Sequence, residues 1–159
     1  MTNVKESRGD VVSIAMEGTC IAHCIGSDVH IEHGVAKSID DAFHIHDDLV
    51  ALSSSGALAV GNVIELRRRT PSGRVISIFN IVTKPTSKDL PTYASMRVGL
   101  GRLRLAIDEY ARGYGRFEIA EIAMPRIGCG IDRLDWNTVK KMIVESMAGC
   151  KTTISVFVL

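Results

Sequence analysis

The chain has few aromatic residues, no long apolar run and almost no net charge. Aromatic side chains make up 5% of its 159 residues, and 19 lysines and arginines against 18 aspartates and glutamates leave a net charge of +1. A chain this close to neutral has no overall field that attracts nucleic acid or an anionic membrane, so any anion site must be local. No apolar run approaches the roughly 18 residues of a membrane span, and the polar start MTNVKESRGD is not a signal peptide. We therefore expect one soluble intracellular domain, cytoplasmic or nuclear, with no membrane partner.

Two common nucleotide-binding motifs are missing. Gly128-x-Gly130 is followed by residues 131–133 (IDR), where the dinucleotide fingerprint needs a third glycine or alanine. The chain also lacks the GK[ST] ending of a P-loop. These absences argue against NAD and ATP, although a diphosphate remains compatible with the glycine loop.

The four cysteines do not form a disulfide or zinc pattern; they are Cys20, Cys24, Cys129 and Cys150. Most of them lie in or beside apolar stretches, which favours reduced, packed thiols. Cys20, His23 and Cys24 could begin a metal site, but the second half of the ligand set is missing. Cys129 has Arg126 nearby but no histidine follows His46, so a packing role is favoured over a nucleophilic one. We expect no metal and no cofactor.

Apolar spacing predicts alternating strands and helices. The predicted strands are 10–16, 19–25, 57–69, 74–83, 119–124 and 152–159, and the strands 57–69 and 74–83 form a hairpin around a turn at 70–73. The predicted helices are 34–46, 92–112 and 135–147. This order indicates an α/β domain whose mixed sheet is covered on both faces. We expect residues 1–8 to be flexible and residues 9–159 to form the single domain.

Three loops follow predicted strands and should meet at one edge of the sheet: 26–36, 84–88 and 125–132. Gly128 and Gly130 predict a backbone turn with positive φ that could hold an anion. The carboxylate of Asp132 would repel a phosphate, so its presence beside an anion loop indicates a residue that acts chemically on a group attached to the phosphates. Lys84 ends an apolar run and could be a nucleophile, although a strand-end lysine that reaches solvent is the commoner case.

The triplet at 67–69 (RRR) precedes the predicted turn and has two interpretations. It could be a solvated strand edge that resists aggregation, or a contact for RNA. No aromatic residue lies near it in the sequence to stack bases. We therefore do not expect nucleic acid as a partner.

Taken together, these segments resemble the macro domain family, and within it the terminal ADP-ribose protein glycohydrolase branch. The resemblance extends over residues 9–159, and its most specific part is MPRIGCGIDRLDW at 124–136. The other matching segments are Gly9-Asp10, IAHCIGSD at 21–28, HGVA at 33–36, IVTK at 81–84, LPTYASM at 90–96 and the terminal VFVL. The resemblance implies a three-layer α/β/α fold that binds ADP-ribose.

The same resemblance implies a role for particular residues. Lys84 would attack the anomeric carbon of the distal ribose, and Asp132 would act as general base. Asp10 and Val11 would bind adenine, with Phe157 and Leu159 packing beside the base. The residues assigned to the rest of ADP-ribose are His23 and Ser27, the first diphosphate loop of Gly34, Val35 and Ala36, and the second loop of Arg126, Ile127, Gly128, Cys129, Gly130 and Ile131, which leads to Asp132.

The leading hypothesis is a monomeric hydrolase that removes mono-ADP-ribose from glutamate and aspartate side chains of modified proteins. Deacylation of O-acetyl-ADP-ribose would be a side activity. The first loop departs from the family pattern, because Glu32 and His33 stand where small residues are usual. This departure supports a second hypothesis, a reader module that binds ADP-ribose without turnover.

Overall fold

A computed structural model describes residues 3–113, 119–130 and 132–159. The strands are β1 (Val4–Arg8), β2 (Cys20–Gly26), β3 (Val63–Arg69), β4 (Val75–Lys84), β5 (Glu121–Met124) and β6 (Thr153–Val158). The helices are α1 (Val11–Met16), α2 (Gly34–Phe43), α3 (His46–Ala51), α4 (Tyr93–Gly113) and α5 (Trp136–Ser146), with a short 3-10 turn at Ser53–Ser55. No helix within these ranges is long and apolar enough to cross a membrane.

The strands form one mixed sheet in the order β1-β6-β5-β2-β4-β3. Neighbouring strands are parallel except at the β3–β4 hairpin. The carboxyl ends of β1, β2, β4, β5 and β6 consequently share one edge, which we call the C-terminal rim. Loops that leave these strands are brought together there.

Helices cover both faces of the sheet, as predicted. One core packs α4 and α5 on the sheet, with Leu100, Leu103, Val139 and Ile143 against Phe79 and Ile81. The other core packs α1, α2 and α3 on the opposite face, with Val11, Ala15, Ile39 and Leu49 against Ile21 and Ile78. The predicted three-layer α/β/α architecture is confirmed.

The hairpin prediction is confirmed, although its first strand begins at Val63 and not at residue 57. β3 and β4 pair antiparallel from Val63 opposite Ile81 to Arg69 opposite Val75. The turn is closed by the Thr70 N–H, which donates to the Arg74 carbonyl at 2.7 Å. The predicted elements from α4 to β6 are also found, with ends that differ by a few residues.

The predicted strand over residues 10–16 is wrong, because this segment forms helix α1. Asp10 caps the helix by accepting a hydrogen bond from the Val12 N–H at 3.0 Å. Val11 and Ala15 are buried one turn apart, so the segment has helical spacing. A short apolar run with β-branched residues suits both strand and helix, and the cap decided between them.

The N-terminus and the second predicted helix also differ from expectation. Val4–Arg8 form an edge strand paired with β6, so the prediction of a flexible segment over residues 1–8 is wrong for these five. Backbone pairing orders this polar segment although its side chains bury little. The predicted helix over 34–46 ends earlier, at Phe43, where His44 adopts a left-handed conformation with φ of 55°. Helix α3, which follows, was not predicted.

The arginine triplet of β3 contacts its own fold. Arg68 Nε donates to the Phe43 carbonyl at 2.8 Å, and Arg69 donates to the Gly73 carbonyl at 3.1 Å. The Arg67 guanidinium lies 5.8 Å from the ring centre of Tyr110, an aromatic residue that is distant in sequence. These contacts favour a structural role for the triplet.

Candidate active site

The loops after β2 and β4 are joined directly at the C-terminal rim. A bulge between Ile25 and Gly26 places Gly26 opposite Lys84. The Ser27 N–H then donates to the Lys84 carbonyl at 2.9 Å, while the Ser27 hydroxyl donates to the Leu58 carbonyl. Ser27 is thus held by the protein on both sides, beside the strand end that carries Lys84.

Lys84 and Asp132 form an ion pair at the same rim. Lys84 Nζ lies 2.6 Å from Asp132 Oδ1, and it also donates to the Ser87 carbonyl at 3.3 Å. The two side chains are 12% and 16% exposed, so they are largely shielded but still reachable from solvent. The expected meeting of these residues, which are distant in sequence, is therefore found. The pair places an amine and a carboxylate within proton-transfer distance.

The loop after β5 closes on itself through backbone hydrogen bonds. The Cys129 N–H donates to the Arg126 carbonyl at 3.2 Å, and the Leu134 N–H donates to the Gly128 carbonyl at 2.8 Å. Gly128 has the predicted positive φ, 73°. Gly130 does not, so that part of the prediction is wrong. Gly130 instead leaves open space, since a Cβ there would have no heavy atom within 4 Å.

Three more residues of this loop carried predictions. Ile127 is buried and belongs to the core under α4 and α5. Arg126 is half-exposed and lies at the start of the loop. Ile131 lies outside the described residues, so its assignment to ADP-ribose stays a prediction.

The two cysteines near Asp132 are poor nucleophiles. Burial raises the pKa of Cys129 to about 11, with a further contribution from the Asp135 carboxylate. Burial also raises the pKa of Cys24 to about 12, and Asp132 adds to that shift. Both thiols are uncharged at neutral pH, whereas the thiolate is the reactive form. The interpretation of Cys129 as a packing residue is thereby favoured.

The first loop leads into the N-terminus of α2. His33 occupies the N-cap position, but its side chain makes no capping hydrogen bond. Gly34 follows with φ of 69°, and no heavy atom lies within 4 Å of a Cβ placed there. Val35 and Ala36 are half-buried in the first turn. The first-turn N–H groups of a helix without a side-chain cap are suited to an anion.

The residues assigned to adenine cluster at the ends of β1 and β6. The Asp10 carboxylate is exposed and accepts hydrogen bonds from the Val12 N–H and the Ser13 hydroxyl, both at 3.0 Å. Val11 is buried beneath it, while Leu159 is 90% exposed. Phe157 is half-buried and packs against Gly9, where a Cβ would lie 2.8 Å from the ring.

His23 lies in the core, so its assignment to ADP-ribose stays a prediction. Its side chain is 1% exposed, and Nε2 lies 2.6 Å from the Asn80 side-chain oxygen. Burial lowers the pKa of His23 to about 4, against the opposing effect of the Asn80 hydrogen bond, so the ring is neutral. The alternation of β2 directs this side chain into the core with α1 and α2. Sequence spacing could have revealed the alternation but not its partner Asn80.

Sequence reasoning missed Tyr93 and Ser95, which lie at the start of α4. The Tyr93 hydroxyl accepts a hydrogen bond from the Asp135 N–H at 3.0 Å, where the second loop ends. The Ser95 hydroxyl donates to the Thr83 carbonyl at 2.7 Å, next to Lys84. Both residues belong to the LPTYASM segment, but nothing in their spacing indicates these contacts. They attach the helix to the two loops that carry Lys84 and Asp132.

Sequence reasoning also missed Glu6, which collects three donors. Its carboxylate accepts from Trp136 Nε1 at 2.9 Å and Lys140 Nζ at 2.7 Å, and it pairs with Arg126 at 3.3 Å. The Arg126 guanidinium lies 5.5 Å from the ring centre of Trp136. The hydrogen bond from Lys140 does most to hold the pKa of Glu6 below its usual value, although burial opposes it. Glu6 thus connects β1 with the second loop and with α5.

We expect Glu6→Gln to lower the free energy of unfolding by about 1 kcal/mol at pH 7. A carboxylate whose pKa is lowered in the folded state stabilises the fold above its unfolded pKa. That contribution is lost as the pH falls through the folded pKa. The difference between variant and wild type, measured by urea denaturation, should therefore shrink as the pH is lowered through the folded pKa of Glu6. The exposed Asp47→Asn is the matched control, and a Glu6→Gln difference that does not shrink at all as the pH falls would contradict this linkage.

A metal-ligand cluster is absent from the part of the chain that the structure describes. No group of three or more histidine, cysteine, aspartate or glutamate side chains there could hold a metal ion. The cysteines within the same ranges are free thiols. Cys20, His23 and Cys24 in particular do not form a site of this kind.

Comparison with known proteins identifies relatives in sequence. No family model matches the chain. The human protein ADP-ribose glycohydrolase OARD1 is 31% identical over 140 residues, which cover 87% of this chain and 81% of the human one. Bovine ADP-ribose glycohydrolase OARD1 is 29% identical over 153 residues, covering 96% of this chain and 89% of the relative.

Comparison with solved structures identifies the same fold. The macrodomain of Thermus aquaticus DarG superposes with a TM-score of 0.81 at 21% identity, covering 98% of both chains. Thermosipho africanus DarTG, solved in complex with ADP-ribose, gives a TM-score of 0.80 at 15% identity, covering 99% of this chain and 42% of that one. Identities this low support the shared fold and leave the chemistry to the residues of this chain.

Proposed function

The chain belongs to the macrodomain family, in the branch of the ADP-ribose glycohydrolase OARD1, and on this premise we propose that it hydrolyses ADP-ribose from modified proteins. The bond cleaved is the ester that joins the distal ribose to a glutamate or aspartate side chain. The observation that carries the proposal is the 2.6 Å contact between Lys84 Nζ and Asp132 Oδ1. The pair offers a nucleophile and a base in one place, which a module that only binds would not need.

The proposed reaction has two steps. Lys84 loses one proton of the ion pair to solvent, the resulting amine attacks the anomeric carbon of the distal ribose, and the bond from that carbon to the ester oxygen breaks. The target carboxylate leaves with the electron pair, and Asp132 takes the proton that the new C–N linkage releases. Water then adds its hydroxyl to the anomeric carbon and the C–N bond breaks. The proton held by Asp132 and the remaining proton of water pass to the nitrogen, which frees ADP-ribose and restores the ion pair of Lys84 with Asp132. O-acetyl-ADP-ribose, which also carries an acyl ester on the sugar, is the proposed second substrate.

The two loops at the rim would hold the diphosphate. The α2 N-terminus at Gly34, Val35 and Ala36 presents backbone N–H groups without a side-chain cap. The turn at Gly128 and Gly130 follows β5 at the same rim, and Gly130 has space for a close approach. Fixing the diphosphate between these loops presents the ribose to Lys84 and Asp132, and such orientation is a large part of catalysis. The DarTG structure in complex with ADP-ribose has the same fold.

The adenine end would lie at the ends of β1 and β6. The exposed Asp10 carboxylate can accept from the adenine amine while it caps α1. Phe157 and Leu159 offer apolar surface beside it. We propose contacts to adenine for these residues and for the backbone of Val11, and none for the buried His23 side chain.

Trapping the covalent intermediate tests this function. The protein is mixed with a glutamate-ADP-ribosylated target, quenched at short times and examined by peptide mass spectrometry. We expect free ADP-ribose in solution and a transient ADP-ribosyl adduct on Lys84. Tight ADP-ribose binding by calorimetry with no turnover of any acyl-linked substrate would instead identify a reader. A variant of the first loop, Glu32→Gly, tests whether the charge there limits turnover.

A further inference from the structure

We propose that Asp28 is a positioning residue for Lys84, acting through the backbone of Ser87. This inference rests on the proposed function, because it concerns how the nucleophile is held. Asp28 lies in the loop after β2, whereas Lys84 and Ser87 lie in and after β4. Its carboxylate joins these two loops of the rim.

Both oxygens of Asp28 accept backbone hydrogen bonds. Oδ2 accepts from the Ser87 N–H at 2.9 Å, and Oδ1 accepts from the His30 N–H at 3.2 Å. Burial raises the pKa of Asp28, but the hydrogen bonds from Ser87 and His30 outweigh it and bring the pKa below its usual value. The side chain is therefore a carboxylate at neutral pH and can accept on both sides.

The backbone of Ser87 connects the Asp28 carboxylate to the Lys84 amine. Its N–H is held by Asp28, and its carbonyl oxygen accepts from Lys84 Nζ at 3.3 Å. The same Nζ lies 2.6 Å from Asp132 Oδ1. Two acceptors on different loops therefore define the position of the amine. Because Asp28 fixes one of these acceptors, it controls the direction from which Lys84 reaches the sugar.

The backbone around Asp28 allows the loop after β2 to lie close to the loop after β4. A Cβ on Gly26 would lie 3.0 Å from Asp28 Oδ1 and 3.1 Å from the Ser87 nitrogen, so only glycine fits without displacement. Val29, which follows Asp28, is buried and has a φ of 51°. A β-branched residue in this region is strained, and such strain persists where the surroundings over-determine the conformation. The contact between the loops is thus maintained although it requires a strained backbone at Val29.

A purely structural role makes a different kinetic prediction from a positioning role. If Asp28 only stabilised the loops, its loss would weaken ADP-ribose binding and turnover together. If it positions Lys84, the chemical step slows while the diphosphate and adenine contacts persist. Measuring kcat, KM and the affinity for ADP-ribose separates these cases.

The test is Asp28→Asn in the full chain. Asparagine keeps the size of the side chain but turns an NH2 group towards one of two backbone donors. We expect kcat and the rate of adduct formation on Lys84 to fall about 10- to 100-fold, since small displacements of a reacting group cost this much. The dissociation constant of ADP-ribose should stay unchanged by calorimetry. Asp41→Asn, at an exposed carboxylate paired with Lys37, is the matched control and should leave both values unchanged.

A second variant removes the same hydrogen bond by changing its donor residue, Ser87. Ser87→Pro removes the N–H that Asp28 holds, and it should reproduce the loss of kcat. The double variant should be no slower than the worse single one, because both changes break one contact. An unchanged kcat in Asp28→Asn, or a fall in kcat matched by weaker ADP-ribose binding, overturns the positioning role alone. A wild-type chain that forms no adduct and releases no ADP-ribose overturns both this role and the proposed function.

Discussion

Lys84→Ala is expected to slow release of ADP-ribose from an acyl-linked target by about 10³-fold or more. The variant lacks the amine that we propose attacks the anomeric carbon, and no other amine contacts Asp132 among the described ion pairs. Initial rates of ADP-ribose release, measured by chromatography at saturating substrate, provide the readout. Affinity for free ADP-ribose should survive, because the two loops that would hold the diphosphate do not depend on this side chain.

Lys84→Arg distinguishes the role of Lys84 as a nucleophile from the role of its positive charge. Arginine preserves a cation beside Asp132 but remains protonated and cannot attack. We expect Lys84→Arg to be as slow as Lys84→Ala and to form no adduct. A Lys84→Arg variant that retained most of the rate would contradict covalent catalysis, because it would show that the positive charge suffices.

Asp132→Asn should lower the rate by about 10²- to 10⁴-fold, the usual contribution of a general base. Combined with Lys84→Ala, it should add little, because residues that act as a unit are not additive. A double variant whose loss equals the product of the two single losses would indicate that the residues act independently.

Gly128→Ala is expected to lower the free energy of unfolding by about 2–4 kcal/mol and to weaken ADP-ribose binding. Gly128 has a φ of 73°, and an added Cβ would lie 2.7 Å from Met96 Cε and 3.0 Å from Leu134 Cδ1. Met96 is fully buried, so relief requires movement in the core. Urea denaturation and calorimetry with ADP-ribose measure the two effects.

Gly130→Ala is the matched control in the same loop. Its φ is not positive, and an added Cβ meets no heavy atom within 4 Å. Stability should therefore change little, while any loss of ADP-ribose affinity would indicate that the ligand fills this space. Equal destabilisation by both variants would show that the backbone conformation of Gly128 is not the cause.

Secondary structure was predictable where spacing and turn chemistry agreed. The β3–β4 hairpin has Thr70-Pro71-Ser72-Gly73 between two apolar runs, and α4 has apolar residues at three- and four-residue steps. α1 was missed because a six-residue, mostly apolar segment with β-branching fits either state, and the Asp10 cap settled it. β1 was missed because its side chains are polar, whereas its order comes from pairing with β6, a segment about 150 residues away.

The candidate site was predictable to the extent that topology alone places residues. Loops after parallel strands share an edge, which was enough to bring Lys84 and Asp132 together in expectation. The rule does not say which side chains point into the core, as the side chain of His23 does. It also gives no information on side chains that act through the backbone, such as Asp28, or on clusters across strands, such as that of Glu6.

The sequence by itself determined the fold class and the family resemblance, and through that resemblance it led to the roles proposed for Lys84 and Asp132, because these depend on local patterns and chain order. Only the tertiary structure decided that Lys84 and Asp132 are in contact, that His23 is buried and that Asp28 holds Ser87. These features arise from packing and hydrogen bonds between residues far apart in the chain. Their distances depend on how several loops settle against one sheet edge, and no spacing within a single segment encodes that geometry.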